Sequence, residues 1–426
     1  MDSYTKISRL IACSHMYWGR KPITDLVNIF DAIKDGDIVL DPFCGGGNPA
    51  IAALIKGGRV IAGDLNPMAV FLTKVLIKPV NLATLKSAFN DVAVSVSHNI
   101  LEKYEIRCPI CKQTAIIKSL VWSNKNSKKN IPENAQIECN RCHPQVLVAK
   151  FSSAETIRQQ ELLQMTPTFW FPRNTINSTR KPPVKHHYEL FTGRNLSMLA
   201  ELLHAIHKVP SENMRDALLY VFTAMLYSCS SMQMFSEKDP SSLRGWTALR
   251  FYIPPKRKEV NVWQAFERRF YKFAECKGEL NHLLRSVRVT DSTKDFYKNR
   301  YEALIINADV FDLIHRLGNQ SNMVFLDPPY IDDIDYFGFS EFWGSWLQMH
   351  FNFDKEWHPR RNKADILNKL LKLLKITTSE SCKIAMALAP KHQKGWNIED
   401  CVKQNSYHAK SIGYFYYDNS NKRGLN

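Results

Sequence analysis

The stretch Val39-Leu40-Asp41-Pro42-Phe43-Cys44-Gly45-Gly46-Gly47-Asn48 decides the fold, because a short apolar run ends there in a carboxylate and a glycine cluster. The run begins at Asp37, and residues 50–56 after the glycines have a helical pattern. A second apolar run, residues 59–63, ends at Asp64. Strand, glycine turn, helix and strand form a βαβ unit, which predicts a parallel sheet that binds ligands at the carboxyl ends of its strands.

The strand–helix alternation stops after this unit and resumes near the end of the chain. Later strands are predicted at residues 303–307, 323–326, 383–388 and 408–417, with an amphipathic helix at 364–374. The segment between is mostly helical, with clear helices at 197–207, 214–227 and 262–276. We predict a split Rossmann-like α/β domain, residues 1–100 and 301–426, interrupted by a cysteine-rich ribbon at 101–150 and a mostly helical insertion at 151–300.

Length, composition and charge narrow the class of protein. A chain of 426 residues exceeds the usual single-domain size, and 45% hydrophobic with 23% charged residues is ordinary globular composition. The formal net charge of +16 favours a polyanionic partner, because each phosphate contact releases condensed counterions. The alternative is a solubility charge on a protein from a basic proteome.

The sequence predicts a cytoplasmic protein without a membrane partner. Residues 1–16 contain neither the apolar segment nor the cleavage site of a signal peptide, and the most apolar stretch, residues 217–226, is too short to cross a bilayer. Ten cysteines without a secretory signal indicate a reducing compartment, where paired cysteines favour metal binding over disulfides.

The glycine turn is a candidate nucleoside site. Glycines allow the backbone to approach a ligand closely, and Asp64, twenty-three residues after Asp41, is placed to bind ribose hydroxyls. The glycine spacing is not that of dinucleotide sites and no P-loop lysine follows, which favours a ligand without a pyrophosphate. A purely structural tight turn is the alternative. Asp309, after the predicted strand 303–307, is a candidate for binding an adenine amine or, alternatively, a helix N-cap.

The octapeptide Met323-Val324-Phe325-Leu326-Asp327-Pro328-Pro329-Tyr330 carries the predicted catalytic residues. An exocyclic amine on a base is a poor nucleophile, because its lone pair is delocalised into the ring. The Asp327 carboxylate and a backbone carbonyl next to Pro328 can accept its two hydrogens and localise that lone pair for attack on a methyl sulfonium. The prolines hold these acceptors rigidly, and Tyr330 offers a face for stacking an extruded base. The alternative is a strand end followed by a proline turn.

These segments resemble the DNA amino-methyltransferases, which make N6-methyladenine or N4-methylcytosine. Residues 41–47 resemble motif I of that family, residues 327–330 resemble motif IV, and Ser14-His15-Met16-Tyr17-Trp18-Gly19-Arg20-Lys21-Pro22 resembles motif X. The chain is most similar to a zinc-ribbon-containing subgroup of adenine-specific methylases, which shares the His-x-x-Trp-x-x-(Lys/Arg)-Pro start and segments like residues 189–196. The similarity covers roughly residues 14–75 and 303–345.

The resemblance implies S-adenosylmethionine as cofactor and a flipped-out adenine in double-stranded DNA as substrate. It also implies a restriction–modification or defence role, with partner proteins of such systems. It assigns cofactor binding to Tyr17, Trp18, Lys21, Asp41, Pro42, Phe43, Cys44, Gly45, Gly47, Asp64, Asn66 and Asp309, and catalysis to Asp327, Pro328, Pro329 and Tyr330. The chain departs from the family in having Asn48-Pro49 where many members carry Thr or Ser, and in placing its insertion between the second and third motifs.

Two Cys-x-x-Cys pairs predict a structural zinc site. Cys108 and Cys111 are separated by twenty-seven residues from Cys139 and Cys142, and four thiolates at this spacing suit tetrahedral zinc. His143 adjoins the last cysteine and is either an alternative ligand or, as is more typical, a solvent-facing loop histidine. Lys125, Lys128 and Lys129, in the hairpin between the pairs, are either phosphate contacts or solvated loop residues.

The helical insertion is a candidate target-recognition region. Basic residues at 256–258 and 268–269 alternate with Trp263, Phe266, Phe270, Tyr271 and Phe273. The aromatic spacing is more typical of a helix core than of base stacking, and the basic residues offer a phosphate-binding surface. Three hypotheses remain: an adenine-N6 DNA methyltransferase, a cytosine-N4 or RNA amine methyltransferase, and a non-catalytic nucleic-acid-binding subunit with a methyltransferase fold.

Overall fold

A computed structural model describes residues 2–124, 130–142, 147–178, 181–239, 243, 246, 251–329, 334–356, 363–379 and 381–387. Its strands, in chain order, are β1 (Ile38–Asp41), β2 (Arg59–Asp64), β3 (Glu105–Arg107), β4 (Thr114–Ser123), β5 (Ile131–Glu138), β6 (Leu147–Ala149), β7 (Lys256–Val260), β8 (Val289–Thr290), β9 (Ala303–Asn307), β10 (Met323–Leu326) and β11 (Lys383–Met386). Its helices are α1 (Ser3–Ser14), α2 (Ile23–Ile29), α3 (Asn48–Ile55), α4 (Pro67–Ile77), α5 (Leu82–Glu102), α6 (Ser153–Leu162), α7 (Gly193–His207), α8 (Glu212–Cys229), α9 (Val262–Leu283), α10 (Thr293–Asp295), α11 (Val310–Leu317), α12 (Tyr336–Gly344) and α13 (Lys363–Thr377).

The chain divides into two compact units. The first contains the residues up to Pro79, Cys276–Phe337 and a segment from His350 onward, and the second contains Val80–Glu275 and Gly338–Met349. These divisions differ from the sequence-based boundaries at 100 and 301. Helix α5 belongs to the second unit because its buried face packs there, with the Phe89 ring centroid 3.9 Å from that of Phe270. The ribbon and the helical insertion form one unit because β7 of the insertion pairs with β4 of the ribbon.

The first unit contains a parallel sheet, which confirms the predicted mixed α/β class. Its strand order is β11-β10-β1-β2-β9-β8, and every pair along this order is parallel. From β1 the chain proceeds to β2 on one side and later to β10 on the other, so the order reverses between β1 and β10. Ligands of open α/β sheets bind beyond the strand carboxyl ends at such a point. The strand predicted at 408–417 lies outside the described residues.

The strands at the centre of this sheet are buried on both faces, as their continuous apolar sequences predict. Val39, Leu40, Val60, Ile61, Val324 and Leu326 are all fully buried. Leu313 of α11 and Leu370 of α13 pack in the same hydrophobic cluster as Leu40 and Ile61. This core fixes the positions of the strand ends, where the polar residues begin.

The second unit contains an antiparallel sheet built around β4. One edge of β4 pairs with β3 through residues 114–116 and with β7 through residues 119–123, and the other edge pairs with β5, which in turn pairs with β6. The aromatic residues of α9 pack in this unit as core: Trp263, Phe266, Phe270 and Phe273 are buried, whereas Tyr271 is 56% exposed. This confirms the interpretation of the aromatic spacing as a helix core.

A buried ion pair joins elements of the second unit that are distant in sequence. Arg194 of α7 donates from Nη2 to Oε2 of Glu259 at 2.6 Å and from Nε to Oε1 at 3.1 Å. Thr192 Oγ1 and Trp122 Nε1 donate to the same carboxylate at 2.5 and 2.6 Å. Both charged side chains are about 1% exposed, and the hydrogen bonds to the Glu259 carboxylate offset part of the cost of burying the pair.

Candidate active site and metal centre

Three carboxylates meet at the carboxyl edge of the parallel sheet. Asp41 is the last residue of β1, Asp64 is the last residue of β2, and Asp327 comes directly after β10. The three strands are neighbours in the order β10-β1-β2, and parallel strands end on the same side. The sheet therefore brings together residues from both predicted motifs at the point where its strand order reverses.

Asp327 forms an ion pair with Lys21. The Lys21 Nζ lies 2.8 Å from Oδ1 and 2.6 Å from Oδ2 of Asp327, and it also donates to the Gly19 carbonyl at 3.2 Å. Burial raises the pKa of Asp327, and the Lys21 ammonium opposes part of that rise. Lys21 thus occupies the oxygen atoms that the predicted chemistry assigns to a target amine.

Asp41 is buried, and its carboxylate oxygens lack a well-formed hydrogen bond among the described residues. The residue is fully inaccessible to solvent. Burial raises the pKa of Asp41 well above its usual value, and the neighbouring Asp327 and Asp64 carboxylates raise it further, while the nearby Phe43 N–H opposes part of the rise. A buried carboxyl group with unused acceptor positions is costly unless a ligand pairs with it, which makes Asp41 a candidate ligand contact.

Asp64 organises the turn between β2 and α4. Its Oδ2 accepts a hydrogen bond from the Gly45 N–H at 3.0 Å, and its Oδ1 accepts one from the Asn66 N–H at 2.9 Å. Burial raises the pKa of Asp64 to about 6, although these N–H groups oppose the rise. A carboxylate has about four acceptor positions, so acceptor positions remain for ligand hydroxyl groups. Asn66 caps α4 and its Nδ2 lies 3.5 Å from the Tyr17 hydroxyl.

The glycine turn packs against the segment that resembles motif X. The guanidinium of Arg20 lies where a side chain at Gly46 would project, and its Nη1 donates to the Gly46 carbonyl and, at 3.0 Å, to Asn48 Oδ1. Gly47 has a φ of +87°, and a Cβ there would lie 2.9 Å from Thr73 Oγ1. The space that these glycines leave open is filled by the chain's own side chains, as a structural tight turn requires.

The other predicted site residues occupy several environments. Pro42 and Cys44 are buried, Phe43 and Trp18 are partly buried, and the Tyr17 ring centroid lies 6.2 Å from that of Tyr336. Asp309 accepts a hydrogen bond from the Phe311 N–H at 2.8 Å, which makes it the N-cap of α11, the alternative that its sequence position offered. Pro328 is buried and Pro329 partly buried after β10. Tyr330 lies outside the described residues.

The four predicted zinc ligands converge in the second unit. Cys108 and Cys111 lie in the turn between β3 and β4, and Cys139 and Cys142 come after β5. The four Sγ atoms lie within 4.8 Å of one another, with Cys108 and Cys142 at 3.7 Å and Cys111 and Cys139 at 3.5 Å. A tetrahedral site with Zn–S bonds of about 2.3 Å separates its sulfurs by about 3.8 Å, so the donor set fits zinc. His143 and the hairpin lysines 125, 128 and 129 lie outside the described residues.

Hydrogen bonds within the first cysteine pair favour a thiolate. The Cys111 N–H is the main cause that lowers the pKa of Cys108 to about 6, with a contribution from the Ile110 N–H. The pKa of Cys142 rises instead, to about 12, through its hydrogen bond to the Cys111 thiol. Four thiolates this close need a cation to ionise together, which a divalent metal supplies.

The structure assigns roles at the glycine turn that the sequence did not predict. Arg20 of the segment resembling motif X and Asn48 hold the turn together with Thr73, and Thr73 lies outside every motif that the sequence indicated. Of the predicted basic surface at 256–258, Arg257 and Lys258 are 6% and 1% exposed, and Lys256 is paired with Glu133 and Glu237. That cluster is therefore mainly interior.

Fold and site together define an α/β protein with a carboxylate-lined site at the reversal point of a parallel sheet and a separate four-cysteine cluster. The chain is similar to a tRNA (guanine(37)-N(1))-methyltransferase of Entamoeba histolytica, with 44% identity over 54 residues. The matched segment is 13% of this chain and spans about 14% of the relative's length. No protein-family model matches the chain, and no solved structure matches it.

Crossing a bilayer requires a long and continuously apolar helix. Within the described ranges, no helix combines sufficient length with sufficient apolar character.

Proposed function

We propose that this protein transfers a methyl group from S-adenosylmethionine to the exocyclic N6 amine of an adenine that is flipped out of double-stranded DNA. The observation that carries the proposal is the convergence of Asp41, Asp64 and Asp327 at the carboxyl edge of adjacent parallel strands. The proposed setting is a restriction–modification or defence system, in which DNA and partner proteins of that system bind the chain.

Asp327 provides the acceptor for the target amine. An ionised carboxylate at the strand end accepts a hydrogen bond from the amine and localises the nitrogen lone pair, and Pro328 and Pro329 limit movement of the adjoining backbone. Because Lys21 holds both oxygens of Asp327, the incoming amine displaces at least one of these contacts. Lys21 also favours the ionised form of Asp327, which the chemistry requires.

Residues around the glycine turn have hydrogen-bond acceptors that can bind the donor groups of the cofactor. Asp64 has acceptor positions left for ribose hydroxyls, and the buried Asp41 carboxyl offers two oxygens to donor groups. When bound, S-adenosylmethionine supplies an electrophilic methyl group on a sulfonium. The chain's own part is to orient the amine and to exclude water, so positioning accounts for much of the rate.

An RNA base is the second candidate substrate. The relative that shares the 54-residue segment is named for methylating guanine at position 37 of tRNA, on a ring nitrogen. This supports methyl transfer to a nucleobase and favours RNA as the alternative acceptor. Cytosine N4 is a further exocyclic amine that the same carboxylate chemistry can activate.

The decisive experiment is nucleoside mass spectrometry after incubation with isotope-labelled S-adenosylmethionine and, separately, duplex DNA and RNA. We expect labelled N6-methyladenine in DNA. Asp327→Asn should lower the rate by on the order of 10²–10⁴-fold while cofactor binding by calorimetry persists. Asp312→Asn, an exposed position on α11, is the matched control and should retain the wild-type rate.

Each alternative has its own result. Labelled N4-methylcytosine or a methylated RNA base would replace the adenine assignment and keep the role of Asp327. Cofactor binding without any labelled product would favour the non-catalytic nucleic-acid-binding hypothesis. Undiminished turnover by Asp327→Asn would reject the assigned chemistry.

A further inference from the structure

The second unit contains a polar cavity that lies outside the carboxylate site. Its volume is about 190 Å³, far more than the roughly 10–15 Å³ that one water molecule needs. Its wall includes the polar residues Asn130, Gln164, Ser231 and Arg257 and the first residue of α7. At this wall the Gly193 N–H of α7 donates to the Leu163 carbonyl at 3.0 Å, and the Asn195 N–H donates to Thr192 Oγ1 at 3.1 Å.

Arg257 is a buried, charged residue of the cavity wall. It is 6% exposed, and its Nη2 donates to Asn130 Oδ1 at 2.6 Å. Its Nε and Nη1 are buried and have no hydrogen-bond partner among the described residues. Burial lowers the pKa of Arg257, so the guanidinium is charged at a cost in stability.

The acidic groups near Arg257 are already engaged or solvent-exposed. Glu259 accepts four hydrogen bonds, from Arg194, Thr192 and Trp122, which fills the acceptor positions of one carboxylate. Glu133 and Glu237 pair with Lys256. Glu189 lines the cavity, but its side chain is 37% exposed and its Oε2 accepts from the Lys185 and His186 N–H groups. Glu259 therefore acts on Arg257 through its charge and raises the pKa of the guanidinium, but none of the carboxylates that the structure describes accepts a hydrogen bond from Arg257.

We propose that this cavity binds a phosphate group, with Arg257 as its charged donor and Gln164 and Ser231 as neighbouring polar contacts. Guanidinium groups match phosphate oxygens in geometry and charge. The net charge of +16 favours a polyanion as the source, so the phosphate is assigned to a nucleic-acid backbone. This inference is independent of the methyl transfer proposed above, because it concerns binding by the second unit alone.

The test is thermal unfolding of the full chain while inorganic phosphate replaces chloride at constant ionic strength. The wild-type melting temperature should rise with phosphate, because a ligand that binds the folded state stabilises it. Arg257→Met should melt above the wild type in chloride, since it removes two buried donor atoms that lack acceptors, and its phosphate affinity should fall at least tenfold. Arg316→Met, an exposed arginine of α11, should respond to phosphate as the wild type does.

A second measurement identifies the source of the phosphate. The salt dependence of binding to duplex DNA and to RNA should have a slope about one unit smaller for Arg257→Met than for wild type. A lost phosphate response with an unchanged slope would assign the cavity to free phosphate or a nucleotide and reject the backbone source. If the wild type shows no phosphate response, or if Arg257→Met is destabilised yet still responds, the site is rejected. Arg257→Lys, which keeps the charge with fewer donors, provides the comparison if the methionine variant does not fold.

Discussion

At the residue scale, the electrostatic state of Asp327 depends on two opposing effects. Burial raises the pKa of this carboxyl, and the Lys21 ammonium, within 2.8 Å of both oxygens, lowers it. The carboxyl group of Asp327 has to be ionised to accept a hydrogen bond from the target amine. Lys21 therefore acts on the proposed reaction through the charge of Asp327.

The substitution Lys21→Met tests this effect. Without the ammonium, burial acts unopposed and the pKa of Asp327 rises, so the acid limb of the pH profile of kcat/KM should shift to higher pH. The measurement is the methylation rate over a pH series, with Lys34→Met, an exposed lysine in the segment after α2, as the control. An acid limb that stays in place or moves to lower pH would contradict the role of Lys21.

The raised pKa of Asp64, about 6, gives a second pH-dependent prediction. Ribose hydroxyls donate more strongly to a carboxylate than to a neutral carboxyl group, so cofactor affinity should fall as the pH decreases through about 6. The contribution of Asp64 to the free energy of unfolding has the opposite pH dependence to the cofactor affinity. A carboxyl whose pKa is higher in the folded state contributes stability at low pH, and that contribution is lost as the pH rises through about 6.

Calorimetric titration of S-adenosylmethionine at several pH values measures the first of these effects. Asp64→Asn should bind more weakly than wild type at neutral pH and show a flatter pH dependence, because the amide does not ionise. A wild-type affinity that stays constant from roughly one pH unit below the pKa of Asp64 to one above it would contradict the assignment.

At the element scale, the sequence predicted the elements that depend on local pattern. Strands with continuous apolar runs, such as β10, were predicted, and α9 begins where its pattern begins, at residue 262, but continues to Leu283. Strand β7 was missed because its sequence, Lys-Arg-Lys-Glu-Val, is typical of a solvated segment. Its burial depends on Arg194, Glu133 and Glu237, which pair with its charges and are distant in sequence.

In the candidate site, too, local sequence patterns predicted some features, whereas others depend on residues that are distant in sequence. Asp41, Asp64 and Asp327 each come at the end of a strand that the sequence predicted, and the parallel sheet places those strand ends at one edge. The Lys21–Asp327 pair joins residues 306 positions apart, and the unfilled hydrogen bonds of Arg257 depend on tertiary packing. Neither leaves a signal in local composition or spacing.

The cysteine cluster leads to a prediction at the scale of the antiparallel sheet. The cysteine pairs hold the turns that come after β3 and β5, so metal binding should contribute to the stability of the sheet built on β4. Cys111→Ser should lower zinc content below one ion per chain and lower the melting temperature. Elemental analysis and circular dichroism measure both, and Cys13→Ser, an exposed cysteine, is the control. A zinc content equal to that of wild type would reject the four-cysteine site.

At the scale of the whole molecule, the net charge of +16 leads to the last prediction. Part of this charge does not face solvent, since Lys258 and Lys277 are buried, and Lys277 donates to the Val75 and Leu76 carbonyls at the end of α4. The remaining surplus of positive charge is still large enough to favour a polyanion.

If the protein contacts about six to ten phosphates, its affinity for duplex DNA should fall by about 10³–10⁵-fold between roughly 50 and 200 mM salt. Fluorescence anisotropy at several salt concentrations measures the slope, and sucrose at matched osmolality separates ionic from osmotic effects. An affinity for duplex DNA that hardly changes with salt concentration would indicate that the positive charge contributes to solubility, and it would contradict the assignment of nucleic acid as the partner.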